Sequence, residues 1–195
     1  QTENQGGAYL FGYPIFDMPA KEDTHEKEIK DTVRTPAIPA LPGTKDEIKK
    51  IGKILKNNNY STELFMQENA TEHRLKDIRD PYVLHIASHG YFLSDVQLQR
   101  RSKAFGVDIE HAQSDPLLRP GLLFTGAANY LTDYELKEDE ENGILTAFEA
   151  MNLNLEKTRL VVLSACETGL GEVQNGEGVY GLQRAFRVAG AKNII

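Results

Sequence analysis

Short apolar runs along this chain alternate with segments in which apolar residues recur every three or four positions. The two strongest runs are 82–87 (YVLHIA) and 159–165 (RLVVLSA), and their uninterrupted apolar character predicts strands buried on both faces. Weaker runs predict further strands at 8–12, 60–66, 121–125 and 191–195. Because predicted helices separate most of these strands, the pattern predicts an α/β fold with a mainly parallel central sheet.

Capping sequences mark the starts of three predicted helices. Thr44 and Glu47 have the spacing of a capping box, and apolar residues follow at helical spacing between residues 48 and 55. Residues 69–72 introduce a second, short helix, and Thr146 with Glu149 has the capping pattern of a third. A fourth helix, ended by Gly190, is predicted from an apolar stripe that consists of Val179, Leu182, Phe186 and Ala189.

A chain of 195 residues is long enough for one domain with a substantial core, so we predict a single domain over 1–195. Residues 17–42 mix charges with prolines, which predicts an exposed excursion within that domain, and the acidic segment 135–141 predicts a solvated loop. The last residues, 191–195, have the pattern of a strand that has just begun. A domain seldom leaves such an edge uncovered, so we expect a C-terminal part that is missing or supplied by another chain.

Composition and charge narrow the classes of function. The chain has 22 basic and 29 acidic residues, and its net charge of -7 disfavours binding to a nucleic-acid backbone. No apolar run is long enough to span a membrane and no N-terminal signal sequence is visible, so we expect a cytoplasmic protein without a membrane partner. The single cysteine, Cys166, excludes an intramolecular disulfide and a four-thiolate zinc site, and it suits a reducing compartment.

Two reactive side chains stand where the strongest predicted strands end. His89 follows the first of these strands and precedes Gly90, and Cys166 follows the second. If the two strands are parallel neighbours, both residues lie on the rim where α/β proteins bind ligands. A cysteine thiolate is a nucleophile, and a nearby imidazole can accept the thiol proton. A sharp turn at Gly90 would let its amide form an oxyanion hole with the amide of Cys166.

A structural interpretation of the same residues stays open at this point. A lone cysteine at the end of a strand is usually a small buried apolar residue, and a histidine in a loop often has no specific role. His85 lies inside an apolar strand, which predicts a histidine of the core.

Other types of site fit the sequence less well. Residues 176–181 match the pattern G-x-G-x-x-G, but they do not directly follow a strand, as a dinucleotide site requires. His85 and His89 have the spacing of zinc-protease ligands but lack the accompanying glutamate. A nucleophile, a base and oxyanion donors can all come from protein groups, so we expect no organic cofactor and no metal.

Several segments together resemble the CHAT domain, a caspase-like family often found beside TPR repeats. The resemblance rests on 83–92 (VLHIASHGYF) and on 143–195, which contains SACETG, and it extends to 41–44 (LPGT) and 115–126 (DPLLRPGLLFTG). HIASHG and SACETG are highly specific in combination, and the resemblance covers most of the chain. It implies the caspase-hemoglobinase fold, an α/β sandwich of three layers with a mainly parallel central sheet.

For function, the resemblance implies a cysteine endopeptidase that hydrolyses peptide bonds in a protein or peptide substrate. Cys166 matches the family's nucleophile, His89 its general base and acid, and the amides of Gly90 and Cys166 its oxyanion hole. The family uses a His-Cys dyad, so no third catalytic side chain is required. Leu41 stands where caspases have the arginine that binds substrate aspartate, so the resemblance does not imply cleavage after aspartate.

The resemblance also implies control by other segments. TPR repeats or another fused or bound sensor would hold the cleft closed until a partner binds the open state. The family continues into a further strand and loop that shape the cleft, so we expect residues 1–195 alone to be a poor protease. The alternative is a non-catalytic interaction module that keeps the caspase-like core. An intact dyad beside an open cleft favours the enzyme, and a permanently plugged cleft favours the module.

Overall fold

The computed structural model describes residues 6–17, 38–94, 103–104, 107–130, 142–167 and 177–195. For residues 103–104, 129–130, 166–167 and 177, it describes the backbone alone. The loop predicted at 135–141 and most of the excursion predicted for 17–42 lie outside these ranges. None of the described helices has the length and apolar character that a membrane span requires.

Strands and helices alternate along the described chain, which confirms the predicted α/β class. The strands are β1 Gly7–Pro14, β2 Ser61–Gln67, β3 Val83–Phe92, β4 Lys103–Ala104, β5 Val107–Asp108, β6 Pro120–Leu123, β7 Ile144–Thr146 and β8 Leu160–Glu167. The α-helices are α1 Pro42–Asn57, α2 Glu72–Asp77, α3 Ile109–Ser114, α4 Ala147–Ala150 and α5 Glu177–Val188, with 3-10 turns at Pro116–Leu118 and Ala127–Tyr130.

Six strands form one mixed sheet in the order β2-β1-β3-β6-β7, and β8 also pairs with β3. The pairs β1–β2, β1–β3 and β3–β8 are parallel, as predicted, whereas β3–β6 and β6–β7 are antiparallel. Strand β8 covers one edge of β3 from Val83 to Gly90. Strands β1 and β6 therefore share the other edge, one after the other, and β3 is the centre of the sheet. Strands β4 and β5 form a separate pair.

Alternate side chains of β1 and β3 enter two different cores, as the period of a strand requires. The first core lies against α1 and contains Ala8, Leu10, Ile48, Val83 and Ala87. The second includes residues of α2, α4 and α5, among them Phe11, Leu75, Leu84, Ile86, Ala150, Leu182 and Phe186. A third cluster surrounds the end of β3 and includes Phe16, Ile38, Tyr91, Leu93 and Ala128.

Two boundaries near the predicted site differ from the prediction. Strand β3 does not end in a turn at 88–90 but continues to Phe92, because β6 pairs with its last three residues. Helix α1 begins at Pro42, ahead of Thr44, so the predicted capping box is wrong. The Thr44 hydroxyl instead donates to the Leu41 carbonyl at 2.7 Å and accepts from the Tyr13 amide at 2.8 Å.

The C-terminal half confirms two predictions, contradicts one and contains one strand that was not predicted. The capping box of Thr146 and Glu149 is present at α4. The short strand β7 just before it was not predicted, and Val179, assigned to the apolar stripe of α5, is 43% exposed. Residues 193–195 bond to β8 in parallel, through the Val161 amide to Asn193 and the Leu163 amide to Ile195, in agreement with a strand there.

Candidate active site

Strand β3 brings two histidines onto the face that α1 covers. His85 Nε2 lies 2.9 Å from Oε1 of Glu47 in α1, and His89 Nε2 lies 2.7 Å from the carbonyl oxygen of Pro39, just before α1. Because residues an even number of positions apart share a face of a strand, His85 and His89 both point to this side. The continuous apolar pattern of the strand reflects burial on both faces, and the two histidines interrupt it on one face only.

His89 and Cys166 occupy paired positions on neighbouring parallel strands. Strand β3 is in register with β8 from Val83, opposite Leu160, to Gly90, opposite Glu167, and His89 is opposite Cys166. The two residues form the last pair but one of the parallel β3–β8 ladder, while β3 itself continues past this ladder to Phe92. The backbone thus brings together two residues that are far apart in sequence. Their chemical roles stay predictions.

The imidazole of His89 is buried and held at one nitrogen. It is 2% exposed. A carbonyl oxygen only accepts hydrogen bonds, so Nε2 must carry the hydrogen that reaches Pro39. In the neutral ring, Nδ1 then has the free lone pair, and it has no hydrogen-bond partner among the described residues. The ring is therefore in the tautomer that leaves a proton acceptor at Nδ1.

The surroundings of His89 favour the uncharged imidazole. Burial lowers the pKa of His89 below its ordinary value of 6.5, and the hydrogen bond to the Pro39 carbonyl raises it by a smaller amount. The buried ring of Phe16 contributes to this burial, with its centroid 5.1 Å from that of the imidazole and an angle of 37° between the planes. His89 is therefore mainly neutral at pH 7.

His85 is a core histidine, as predicted, and it has a polar partner that the sequence did not reveal. It is 3% exposed. Burial lowers the pKa of His85, while the charge and hydrogen bond of Glu47 raise it by a smaller amount. The pair joins strand β3 to helix α1 four residues before His89, on the same face of the strand.

The predicted sharp turn at Gly90 is wrong. Gly90 lies inside β3, where it pairs with Leu122 of β6 and Glu167 of β8. Backbone amides inside a paired ladder are used by neighbouring strands. The amides of Gly90 and Cys166 can therefore serve a substrate only if the last pairs between β3 and β8 separate.

Sequence reasoning missed two contacts of His89, those with Pro39 and Phe16. The first is made by a backbone carbonyl, which every residue has, so no residue type marks it. Phe16 directly precedes the segment 17–42, which was predicted to be exposed, and Pro39 lies inside it; the prediction is wrong for Ile38, which is buried, as is Phe16. The only available signal was the isolated apolar residues at the two ends of a polar stretch.

The competing motifs do not form sites in the described part of the chain. Gly178 and Gly181 lie within α5, and a Cβ atom at Gly181 would come within 2.8 Å of the Pro120 ring, so this glycine permits close packing of the helix on β6. The Nε2 atoms of His85 and His89 bind different partners. Among the described residues, no group of three histidine, cysteine or acidic side chains is placed to hold a metal.

Comparison with known proteins identifies the family. A family model described as CHAT domain matches residues 16–195. No match was found among curated proteins or among solved structures. The CHAT domain is a family of caspase-like cysteine peptidases, and the match includes both strands that carry the paired histidine and cysteine. The chain belongs to the CHAT domain family.

Proposed function

We propose that this chain is a cysteine endopeptidase in which His89 and Cys166 form a catalytic dyad. The observation that carries the proposal is the register of β3 and β8, which pairs His89 with Cys166. Nδ1 of His89, which has no hydrogen-bond partner among the described residues, adds a proton acceptor on the residue paired with Cys166. The two cores on opposite faces of the sheet support the three-layer caspase-hemoglobinase arrangement as part of the same proposal.

In the proposed acylation step, Nδ1 of His89 accepts the thiol proton of Cys166 as sulfur attacks the carbonyl carbon of the scissile peptide bond. The carbonyl oxygen becomes an oxyanion in the tetrahedral intermediate. The imidazolium then donates its proton to the departing amine, the C–N bond breaks, and a thioester remains on Cys166. In deacylation, His89 takes a proton from water as the water oxygen attacks the thioester carbonyl carbon. The C–S bond then breaks, the acid product leaves, and the imidazolium returns its proton to the sulfur of Cys166.

In these reaction steps, the Pro39 carbonyl orients the imidazole of His89. It holds the Nε2–H group at 2.7 Å, so the neutral ring presents Nδ1 and not Nε2 as the base. When His89 becomes positively charged, the same oxygen accepts a stronger, charge-assisted hydrogen bond. A backbone carbonyl thus orients the base in the way that a carboxylate does in a Ser-His-Asp triad.

The proposed oxyanion hole consists of the amides of Gly90 and Cys166. Donors aimed at a developing negative charge are usually a large part of the catalysis of acyl transfer. Because Gly90 is paired in the sheet, substrate binding must open the end of the β3–β8 ladder. Control by a fused or bound sensor, such as TPR repeats, would act on the same opening.

The test is peptide-library cleavage by the purified chain, read by mass spectrometry, together with Cys166→Ala, His89→Gln and His85→Gln variants. We expect Cys166→Ala to abolish cleavage and His89→Gln to reduce kcat/KM by about 10²- to 10⁴-fold. His85→Gln is the matched control, since it replaces a buried histidine on the same face of the same strand and should retain activity within a few-fold.

Two outcomes would contradict the proposal. Cleavage that survives Cys166→Ala would show that another group is the nucleophile. A chain that binds a protein partner equally well with and without the thiol, and that cleaves no peptide even with this partner bound, would be a non-catalytic interaction module.

A further inference from the structure

The imidazole of His89 contacts the ring of Phe16 as well as the carbonyl oxygen of Pro39. The Phe16 ring lies 5.1 Å from the imidazole, centroid to centroid, and it is 3% exposed. We propose that Phe16 is a positioning residue for His89, which keeps the Nε2–H group on the Pro39 carbonyl and water away from the imidazole. The effect of Phe16 on catalysis rests on the proposed function, whereas its effect on the pKa and tautomer of His89 does not.

The need for such a residue follows from the freedom of a histidine side chain. One hydrogen bond at Nε2 does not prevent the ring from tilting, and rotation by half a turn about the Cβ–Cγ bond would exchange the nitrogen positions with carbon positions. Water that reaches the ring would compete for the Pro39 carbonyl and solvate Nδ1. A large apolar ring against the imidazole restricts both the tilt and the access of water.

Phe16 is itself fixed by the turn that follows β6. The Phe16 carbonyl accepts from the Ala128 amide at 3.0 Å, and the Ile15 carbonyl accepts from the Gly126 amide at 2.9 Å. The Ile15 amide donates to the Thr125 hydroxyl at 3.2 Å. Because Ile15 and Phe16 are both hydrogen-bonded to this turn, the backbone of the segment is fixed. The position of the Phe16 ring therefore depends on these backbone bonds as well as on side-chain packing.

The side chains next to Phe16 extend the apolar surroundings of His89. Phe16 belongs to the same buried cluster as Ile38 and Tyr91, which come from the segment before α1 and from β3. Ile38 directly precedes Pro39, so the ring and the carbonyl that contact His89 belong to one packed unit. A change at Phe16 should therefore alter the surroundings of His89 more than an equal change elsewhere in the core.

Phe11 is the matched control. It is a buried phenylalanine of β1, but its ring packs on Phe65 at 4.6 Å and on Phe124 at 6.0 Å, in the core on the other face. The experiment compares Phe16→Ala with Phe11→Ala, both in a Cys166→Ala background. Imidazole NMR reads the pKa and tautomer of His89, with the signal assigned by a His89→Gln variant.

We expect Phe16→Ala to raise the pKa of His89 toward 6.5, because burial is the main cause of its lowering and the Pro39 carbonyl remains. The signal should also lose its single Nε2–H tautomer. Phe11→Ala should leave both properties unchanged. A His89 signal that is the same in the parent and in Phe16→Ala, or that changes equally in both variants, would overturn the proposal.

The gentler pair Phe16→Leu and Phe11→Leu covers the case in which an alanine variant does not fold. Among folded variants of similar Tm, Phe16→Leu in the wild-type background should lower kcat about tenfold with KM unchanged, and Phe11→Leu should not. Equal losses in both would contradict the positioning role. If the wild-type chain proves inactive, the NMR result still decides the role of Phe16, while the proposed function fails separately.

Discussion

At the residue scale, the two nitrogens of the His89 imidazole differ in their hydrogen bonding. Nε2 is engaged by Pro39, and Nδ1 has no partner among the described residues. Burial of the ring disfavours the imidazolium, so the resting residue is a base and not an acid. This arrangement suits a reaction that begins with proton transfer from a thiol.

The lowered pKa of His89 predicts where activity declines in acid. In the proposed mechanism His89 must be neutral to act as the base, and a folded-state pKa below 6.5 means that the neutral form still dominates at pH 6.5. We expect the acid limb of the kcat/KM profile to have its midpoint below pH 6.5. A pH series with one good substrate measures it, and a midpoint above that value would contradict the assigned surroundings of His89.

Pro39 is expected to tolerate replacement, although its carbonyl oxygen orients the base in the proposed mechanism. The contact to His89 uses the main-chain oxygen, which Pro39→Ala retains. We expect this variant to keep kcat/KM within about threefold, whereas His89→Gln loses at least about a hundredfold. A loss in Pro39→Ala as large as that in His89→Gln would contradict this prediction and show that the carbonyl is not sufficient without the proline ring.

At the element scale, α1 is fastened to β3 by the pair of Glu47 and His85. Neutral His85 donates from Nε2 to Glu47, and the histidine is buried. We expect Glu47→Ala to lower the free energy of unfolding by about 1–2 kcal/mol, because it leaves a buried donor unsatisfied. Glu47→Gln keeps an acceptor and should cost less. Urea unfolding at pH 7 measures both.

Asp46 provides the control for this prediction, since it is an exposed acid next to Glu47 on the same helix. Asp46→Ala should change stability by less than about 0.5 kcal/mol. Equal effects of the two alanine variants would mean that the contact with His85 contributes nothing beyond the charge of the helix.

Helix α2 is held by a buried carboxylate. Glu72 is 1% exposed and lies 2.6 Å from the Lys76 ammonium, which also reaches Glu149 at 3.0 Å. Glu72 accepts the Ile144 amide at 3.1 Å, so the same carboxylate fixes the start of β7. This explains why a strand of only three residues is stable at that position.

Removing this cation should be costly. We expect Lys76→Ala to destabilise the chain by about 2–4 kcal/mol, because a buried carboxylate loses its close positive partner. Lys157→Ala is the control, since Lys157 is 82% exposed and 3.8 Å from Asp80, and it should cost less than about 1 kcal/mol. Chemical denaturation of both variants gives the comparison, and similar values would contradict the buried-pair account.

At the scale of the whole molecule, the strands that carry the site were the easiest to predict. Strand β3 is central and buried along its whole length, as its apolar run predicts. Strand β8 was found by the same kind of run, but its predicted burial on both faces is wrong, because most of its described side chains are only half-buried. Strand β7 has three residues and depends on Glu72, some seventy positions away, so its local sequence has no distinguishing pattern. The antiparallel pairing of β6 likewise depends on the fold, because β6 pairs with the end of β3 that β1 leaves uncovered.

The same capping pattern gave one correct and one wrong boundary. Thr146 and Glu149 bond to each other's backbone at α4. In α1, Thr44 bonds to Tyr13 and Glu47 bonds to His85, so distant partners use both side chains. The sequence could therefore predict that His89 and Cys166 lie on neighbouring parallel strands, but not the contacts of His89 with Phe16 and Pro39, which only the assembled fold brings to the imidazole.

The most direct measurement of the central claim is the alkylation rate of Cys166 by iodoacetamide in the wild type and in His89→Gln. Cys166 is the only cysteine of the chain, so no other thiol competes, and no substrate has to be known. If His89 takes the thiol proton, alkylation at pH 7 should be at least about tenfold faster in the wild type. The His85→Gln variant should react as the wild type does. Equal rates in the wild type and in His89→Gln would contradict the dyad.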